Sequence, residues 1–524
     1  MKKIIGGFIL IGSLFACQSA KKHNAFNQSK ISVAKLHQDI TYLQNNFLAM
    51  HPDADLYISA DSLNQLFAST KKNITTPLTP KQFYSEIAPI IAAVRQGHSR
   101  VVYPSDRTTK QQDKANKNTK GPVNQFTYKW FNNTLYIAET TDSLKQNLIG
   151  SKVISIEDVK PEVLYKEYSQ NNSGDGFSPT YIPQGFNKRF TALVYDKIGI
   201  RDSITFVLSK NDSLFTATNV RIKTKKSSQN SHKKDSIQTL TKVEKKQQAK
   251  QNKHKFKQKK MLGWDNKAFV RELLFPIADD STFAVLKIHK FSDGRYKAAY
   301  DSLFTYIKNK GVNHLALDLS NNPGGLVAEI NELYSYLKYD ADESLLRETK
   351  INSRGKFPFQ AIKGKSFGTY VALTPFYVPV YVWAQLNTKK DSTGNYQIQI
   401  PSIKPKPIKK NVYQGKLSVL VNGGSFSAAC ILTSNLQGSN RALVYGEETG
   451  GTYNGTVAGI MPYLKLPNSK LRVRTGLIHI KPTYQTETLG RGIIPDVPIK
   501  LTTGQALDKD YNLYKIVYKA KSPK

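Results

Sequence analysis

The sequence predicts an α/β protein whose mostly parallel sheet is covered by helices on both faces. Residues 314–319 and 417–421 are mostly apolar runs without polar alternation, as expected for strands that are buried on both sides. Helical patterns lie before the first run, at 296–308, and after the second, at 431–436. Buried strands that alternate with helices predict parallel pairing, which places the turns after the strands at one edge of the sheet.

Length and composition indicate several folded domains. The chain has 524 residues, of which 39% are hydrophobic and 10% aromatic, so global disorder is excluded. The two cysteines, Cys17 and Cys430, are too few for a disulfide framework or a cysteine-based zinc site. The nine histidines show no metal-binding spacing, and no cofactor or metal is implied.

The N-terminus has the features of an export signal. Two lysines, Lys2 and Lys3, precede an apolar run at 4–15 that is too short to cross a bilayer. The following segment, Leu14-Phe15-Ala16-Cys17, resembles the lipobox of bacterial lipoproteins. This resemblance implies that residues 1–17 hold a lipoprotein signal peptide with Cys17 as the acylated residue. We therefore expect a lipid-anchored protein of the cell envelope that faces the periplasm; ordinary secretion, or retention in the inner membrane without acylation, is the alternative.

Positive charge is concentrated in one stretch. The formal net charge is +37, and residues 221–260 contain fifteen Lys and Arg against Asp235 and Glu244. Because this stretch has almost nothing to bury, residues 223–262 are predicted to form a basic disordered linker. An exported chain meets little nucleic acid, so we expect no nucleic-acid partner; contact with anionic lipid or polysaccharide fits the charge better.

Two smaller domains are predicted before this linker. Residues 35–103 are predicted to be helical, with Thr79 and Pro80 starting the last helix and Gly97 ending it just before His98. Residues 123–222 show a hairpin broken at Asn132-Asn133, then a glycine, a strand, a polar turn and a helix start. This order is similar to that of PDZ domains.

Ser427 is a candidate nucleophile. It follows a buried strand and a Gly-Gly turn and stands where a helix begins, so backbone N–H groups would surround its hydroxyl. Two other interpretations are open at this point. Ser425 and Ser427 could simply cap the helix. Alternatively, Ser425 lies in a near match to the Gly-x-Ser-x-Gly turn of α/β-hydrolase esterases.

Four motifs occur in an order that resembles the tail-specific and tricorn-core serine peptidases. They are Asp318-Leu-Ser-Asn-Asn-Pro-Gly-Gly325, Asn422-Gly-Gly-Ser-Phe-Ser427, Gly446-Glu-Glu-Thr-Gly-Gly451 and Gly492-Ile-Ile-Pro-Asp496. The resemblance implies a crotonase-like (ClpP/crotonase-type) peptidase core at 263–505, with an insertion at 344–412. It also implies hydrolysis of polypeptides through an acyl-enzyme, with Ser427 as nucleophile and an oxyanion hole made by the Ala428 amide with that of Gly324 or Gly325.

The resemblance also suggests a general base. The processing-protease branch uses a lysine twenty-five residues after the nucleophile, a position held here by Thr452. The tricorn-core branch uses a histidine after the helical region, which implies His98 as base and Glu487 as the acid that orients it. His98 could instead interact with a helix dipole and Glu487 could be solvated. A catalytically weak relative that binds peptides or serves as a scaffold is the alternative function, and the oligomeric state is not indicated.

Overall fold

The computed structural model describes residues 19–224, 242–265, 268–365, 367–400, 403–508 and 511–520. The predicted signal peptide and Cys17 therefore lie outside the described residues. The N-terminal region contains helices α1 (Ala20–Gln28), α2 (Val33–Met50), α3 (Ala60–Asn73) and α4 (Pro80–Ala93), followed by strand β1 (Arg100–Val102). Helical structure thus begins fifteen residues before the predicted boundary at 35.

Helix α4 starts where the sequence predicts and ends earlier. The Thr79 side chain accepts from the Gln82 amide in a capping box, with Pro80 in the first turn. The helix ends at Ala93 because Arg95 has a left-handed backbone, with φ of 53°. His98 therefore lies in a turn between α4 and β1, and β1 pairs antiparallel with the later strand Arg472–Arg474.

The second region is an antiparallel sheet with three helices. Its elements are α5 (Lys110–Asn116), β2 (Thr119–Lys120), β3 (Phe126–Phe131), β4 (Thr134–Thr140), β5 (Lys152–Ile156), α6 (Pro161–Asn171), α7 (Tyr181–Ile198), β6 (Ser203–Lys210), β7 (Ser213–Val220) and β8 (Ile222–Lys223). Strands β3 to β7 form a five-stranded sheet in sequential order. The hairpin predicted at Asn132-Asn133 is confirmed, and both residues have positive φ.

The basic stretch is partly helical. Composition predicted a disordered linker at 223–262, and this prediction is wrong for its second half, which forms α8 (Lys242–Leu262). Lys, Gln, Glu and Ala have high helix propensity, so a segment with nothing to bury can still be helical. Residues 225–241 lie outside the described residues.

The peptidase-like core is built on a six-stranded sheet. The elements up to the insertion are β9 (Arg271–Leu274), β10 (Phe283–Ile288), α9 (Tyr296–Asn309), β11 (His314–Asp318) and α10 (Val327–Tyr334). The insertion contributes β12 (Leu346–Ile351), α11 (Phe357–Ala361), α12 (Phe367–Leu386), β13 (Thr388–Lys390) and β14 (Tyr396–Ile398).

The rest of the core completes two sheets. It contains β15 (Lys416–Val421), α13 (Ala428–Gly438), β16 (Leu443–Gly446), β17 (Thr456–Ala458), β18 (Tyr463–Lys465), β19 (Arg472–Arg474), β20 (Ile478–Pro482), β21 (Val497–Pro498), α14 (Thr503–Leu507) and α15 (Tyr514–Lys519). The main sheet has the order β21-β16-β15-β11-β10-β9 and is parallel except at β9. The second sheet has the order β13-β14-β12-β20-β17.

Both faces of the main sheet are covered, as predicted. Leu315, Leu317 and Val419 belong to one buried cluster, whereas Ala316 and Leu420 belong to another on the opposite face. Among the described helices, none is both long and apolar enough to cross a membrane.

Candidate active site

Two glycine-containing turns meet at one edge of the main sheet. Strands β11 and β15 are parallel neighbours, with Asp318 opposite Leu420, so the turns that follow them leave the sheet together. The Asn321 amide donates to Asn422 Oδ1 at 2.8 Å, and the Phe426 amide donates to the Asn322 carbonyl at 2.9 Å. The predicted shared edge is therefore confirmed, and hydrogen bonds hold the two turns together.

The two candidate serines have different environments. Ser425 is fully buried; its hydroxyl donates to the Leu319 carbonyl at 2.7 Å and accepts from the Asn422 amide at 3.1 Å. Ser427 has φ of 55° and ψ of −120°, a sparsely populated conformation for a non-glycine residue, and its side chain does not cap α13. Ser425 therefore has a structural role, whereas the hydroxyl of Ser427 is not used as a helix cap.

The turn that follows β11 requires a glycine, Gly324, where it packs against Ser427. Gly324 has φ of +91°, and a Cβ there would lie 2.8 Å from both the Ala428 nitrogen and the Ser427 Cβ. The Gly324 amide donates to Asn322 Oδ1 at 2.8 Å, so it is already bonded. For the amides of Gly325 and Ala428 we find no acceptor among the described residues. Of the two glycines that the resemblance implied, Gly325 is therefore the better partner for Ala428 in an oxyanion hole.

His98 lies beside the residue that precedes Ser427. Its ring centroid is 5.1 Å from that of Phe426, and a Cβ on Gly97 would lie 2.7 Å from the same phenyl ring. The buried Nε2 atom of His98 has no hydrogen-bond partner among the described residues, so no hydrogen bond joins it to Ser427. Burial, and then the charges of Arg474 and Arg100, lower the pKa of His98 to about 3. The imidazole is neutral at pH 7 and can accept a proton.

A loop of the second domain holds the His98 turn in place. This loop, residues 173–180, joins α6 to α7. The buried Asp175 accepts from the Gly97 amide at 2.7 Å through Oδ1, and the Gly176 amide donates to the Arg95 carbonyl at 2.8 Å. Burial raises the pKa of Asp175 to about 7, although the Thr456 hydroxyl and the Gly97 amide act in the opposite direction.

The same loop contacts two further segments of the core. The Phe177 amide donates to the Gly490 carbonyl at 2.7 Å. The hydroxyls of Ser178 and Thr180 donate to the carbonyls of Thr449 and Glu448 at 2.7 and 2.8 Å. Loop 173–180 therefore connects the His98 turn, the turn at 446–451 and the segment that carries Glu487.

The structure does not bring Glu487 to His98. Glu487 lies after β20 with its side chain exposed, and we find no hydrogen bond or ion pair for it among the described residues. The carboxylate of Glu448, in the turn at 446–451, already has two partners. It pairs with Arg491 and accepts a hydrogen bond from the Gly492 amide at 2.8 Å. Thr452, at the lysine position of the other branch, is buried and donates to the Gly455 carbonyl.

Sequence reasoning did not find Asp175 or Asn322. The run Ser173-Gly-Asp-Gly176 is a detectable signal, because an acidic residue between two glycines marks a tight turn. Nothing in the pattern shows that the turn meets Gly97, which is 78 positions away. In the part of the chain that the structure describes, no group of three His, Cys, Asp or Glu side chains could hold a metal ion.

Comparison with known proteins identifies the core. Residues 282–499 match the model of peptidase family S41. We call this matching region the S41 domain. It contains both glycine-containing turns and Ser427, whereas His98 and Asp175 lie before it in the chain.

Individual relatives agree with this assignment. Over 233 residues the chain is 27% identical to a probable CtpA-like serine protease of Staphylococcus epidermidis, which covers 43% of this chain and 35% of that protein. A probable CtpA-like serine protease of Staphylococcus aureus (strain N315) is 26% identical over 230 residues, covering 43% of this chain and 34% of that protein. The chain thus spans about a third of the length of the curated relatives it matches.

Two solved structures share the wider fold. The crystal structure of mature CPAF covers 92% of this chain and 95% of its own, with a TM-score of 0.59 and 13% identity. The structure of mature CPAF with lactacystin has a TM-score of 0.58 and 13% identity, and covers 93% of this chain and 98% of its own. The likeness therefore extends well beyond the S41 domain.

Proposed function

We propose that this protein is a serine peptidase of the cell envelope that hydrolyses peptide bonds of polypeptides, with Ser427 as nucleophile and His98 as general base. The observation that carries the proposal is the environment of Ser427. Its backbone is strained, its hydroxyl does not cap α13, and Gly324 packs against it, since a Cβ there would lie 2.8 Å from both the Ser427 Cβ and the Ala428 nitrogen. Strain of this kind is typical of functional residues.

The chemistry follows the general logic of acyl transfer. Ser427 Oγ attacks the peptide carbonyl carbon while its proton passes to Nε2 of His98, and the amides of Gly325 and Ala428 bind the oxyanion. The C–N bond then breaks, and the imidazolium of His98 returns the proton to the leaving amine. Water, activated by the same imidazole, hydrolyses the ester and restores the Ser427 hydroxyl.

The active arrangement requires a hydrogen bond between His98 and Ser427 that the structure does not show. His98 Nε2 and Ser427 are not hydrogen-bonded, and catalytic hydrogen bonds are often loose until substrate binds. A carboxylate near the imidazole would raise the low pKa of His98, and Glu487 is our candidate for this role. We propose that the exposed Glu487 segment approaches His98 when a polypeptide binds.

The second domain and the N-terminus suggest where the substrate comes from. We propose that the five-stranded domain at 123–222 acts as a PDZ-like module that captures part of a polypeptide, since β7 is an edge strand of its sheet. We also propose that acylation of Cys17 tethers the protein to the membrane on the periplasmic side. A catalytically weak peptide-binding protein is the outcome to expect if cleavage fails in folded protein.

The test is cleavage of a peptide mixture from envelope proteins, with the new ends sequenced. The wild type should produce new ends, whereas Ser427→Ala should produce none and His98→Ala far fewer. Gly355→Ala is a matched control, because no atom lies within 4 Å of a Cβ at that position. Undiminished cleavage by Ser427→Ala, or no cleavage by folded wild type that binds the peptides, would contradict the proposal.

A further inference from the structure

The insertion ends in an exposed apolar helix. On the C-terminal half of α12, the exposed fractions are 64% for Val378, 47% for Val380, 46% for Val382, 36% for Trp383 and 74% for Leu386. Single exposed apolar residues are common on soluble proteins, but a continuous group of this kind marks a surface that is covered by something else. We call Val378, Val380, Val382, Trp383 and Leu386 the apolar patch.

Among the α12 side chains that the structure describes, one is buried. Ala384 is fully buried and belongs to the main core cluster, which fixes the orientation of this half of α12. Val378, Val382 and Leu386 recur every four residues, so they form one row along the helix surface. The helix therefore holds a row of apolar side chains outward on a rigid support.

Basic residues outnumber acidic ones around the helix. No charged residue occurs between Phe367 and Leu386, and segment 348–391 contains seven basic residues against two acidic ones, Glu348 and Asp391. The basic residues of this segment are Lys350, Arg354, Lys356, Lys363, Lys365, Lys389 and Lys390. Lys365 before the helix and Lys389 after it are exposed, so positive charge flanks the apolar patch at both ends.

We propose that the apolar patch docks on an anionic membrane surface. The valines and Leu386 would enter the boundary between headgroups and acyl chains, where Trp383 is also favoured. Lys365 and Lys389 would reach the anionic headgroups. The helix lies along the membrane, because Ala384 holds it against the core.

Charge complementarity distinguishes this partner from a second copy of the chain. In a two-fold dimer the same patch would face itself, which would bring the lysines of both copies together. The carboxylates that border the segment already have partners within the chain: Glu348 pairs with Lys481, and Asp391 accepts from Thr393 and Gln397. An anionic lipid surface supplies the opposite charge along the whole helix, so the membrane is the partner that this surface fits.

The test places a fluorescent reporter in the patch of the full-length chain. Val382→Cys is labelled with an environment-sensitive fluorophore in a Cys17→Ser background, which removes acylation; Cys430 is buried and will not react. The matched control is Leu214→Cys, since Leu214 is 70% exposed on β7, away from the insertion. Vesicles of phosphatidylethanolamine with phosphatidylglycerol are compared with vesicles of phosphatidylcholine alone.

The proposal predicts a blue shift at position 382 with the anionic vesicles, a much smaller one with phosphatidylcholine, and none at position 214. Val378→Ser and Leu386→Ser should each weaken vesicle binding about tenfold, since burial of one such side chain is worth about 1.5 kcal/mol or more. Lys365→Gln with Lys389→Gln should remove the preference for anionic lipid. Circular dichroism and thermal unfolding verify that each variant is folded.

Two results would overturn the proposal. One is an equal or absent shift at position 382 with both kinds of vesicle. The other is a shift that appears without vesicles and grows with protein concentration, which would assign the patch to a second copy. Neither result bears on Ser427, because peptide cleavage is measured in solution with soluble peptides.

Discussion

The backbone amide of Gly97 donates a hydrogen bond of 2.7 Å to the buried carboxylate of Asp175. Gly97 precedes the candidate base, His98, whereas Asp175 lies in a loop of the second domain. This hydrogen bond therefore connects a domain outside the S41 core to the position of the proposed catalytic histidine. Asp175 acts through the backbone and not on the imidazole, so we regard it as a positioning residue.

Replacement of Asp175 should reduce turnover more than substrate binding. Asp175→Ala removes the acceptor for the Gly97 amide, and loss of such a bond costs about 1–3 kcal/mol, or roughly fivefold to 150-fold if all of it appears in kcat. KM should change little, and Asp175→Asn should recover much of kcat because its carbonyl oxygen can accept the same bond. Steady-state kinetics on a peptide substrate checks this; equal kcat in all three proteins would exclude the role.

The same residue should make stability depend on pH. The pKa of Asp175 is about 7 in the folded chain and ~3.9 when unfolded, so between these values the folded state holds the extra proton. The stability contribution of Asp175 is thus present below about pH 4 and is lost as the pH rises through about 7. Relative to Asp175→Asn, the wild type should lose up to about 4 kcal/mol over this range. Urea unfolding at several pH values measures the difference.

The groups around Asp175 do not obscure this measurement. Burial raises the pKa of Tyr57 and Tyr181, and raises that of Cys430 to about 12, so these neighbours stay neutral from pH 4 to 8. His98 titrates in the wild type and in Asp175→Asn alike, so its contribution cancels to first order. A stability difference that stays constant with pH would show that Asp175 is ionised throughout.

A methyl group at Gly324 should disable the site. Its φ of +91° is unfavourable for alanine, and the new Cβ would press on the Ala428 nitrogen at 2.8 Å. Because this displaces an oxyanion donor, we expect Gly324→Ala to lower kcat about a hundredfold or more. Gly355→Ala serves again as the control, and a Gly324→Ala protein with wild-type kcat would contradict the proposed oxyanion hole.

The pH profile should reflect a histidine that is hard to protonate. Burial and two arginines lower the pKa of His98 to about 3, so the free enzyme keeps a neutral base well below pH 6.5. The acid limb of kcat/KM should therefore fall below pH 6.5. Arg474→Gln removes a nearby positive charge, so it should raise the pKa of His98 and move this limb to higher pH. An unchanged limb would contradict the assignment of His98 as the base.

The sequence was most informative where local pattern and fold agree. Buried strands such as β11 and β15 have no polar alternation, and the capping box at Thr79 marks the start of α4. The order of the glycine-containing turns also predicted the family of the core, which the match over residues 282–499 supports. The distinction between Ser425 and Ser427 came from the resemblance, and hydrogen bonding explains it physically.

Features that depend on distant contacts were not predictable. The polar residues of α8 suggested disorder, because composition alone cannot separate a solvated helix from a solvated coil. Asp175 and Gly97 are 78 positions apart, and nothing in their local patterns points from one to the other. The roles of His98 and Glu487 remain predictions, since no hydrogen bond in the described chain links either of them to Ser427.

The most direct test of the central claim is the site at which a fluorophosphonate probe labels the protein. Such probes form a covalent bond only with an activated serine hydroxyl. We expect one labelled peptide carrying the probe on Ser427, no labelling in Ser427→Ala, and much slower labelling in His98→Ala. Labelling of Ser425, or no labelling of folded wild-type protein, would contradict the account.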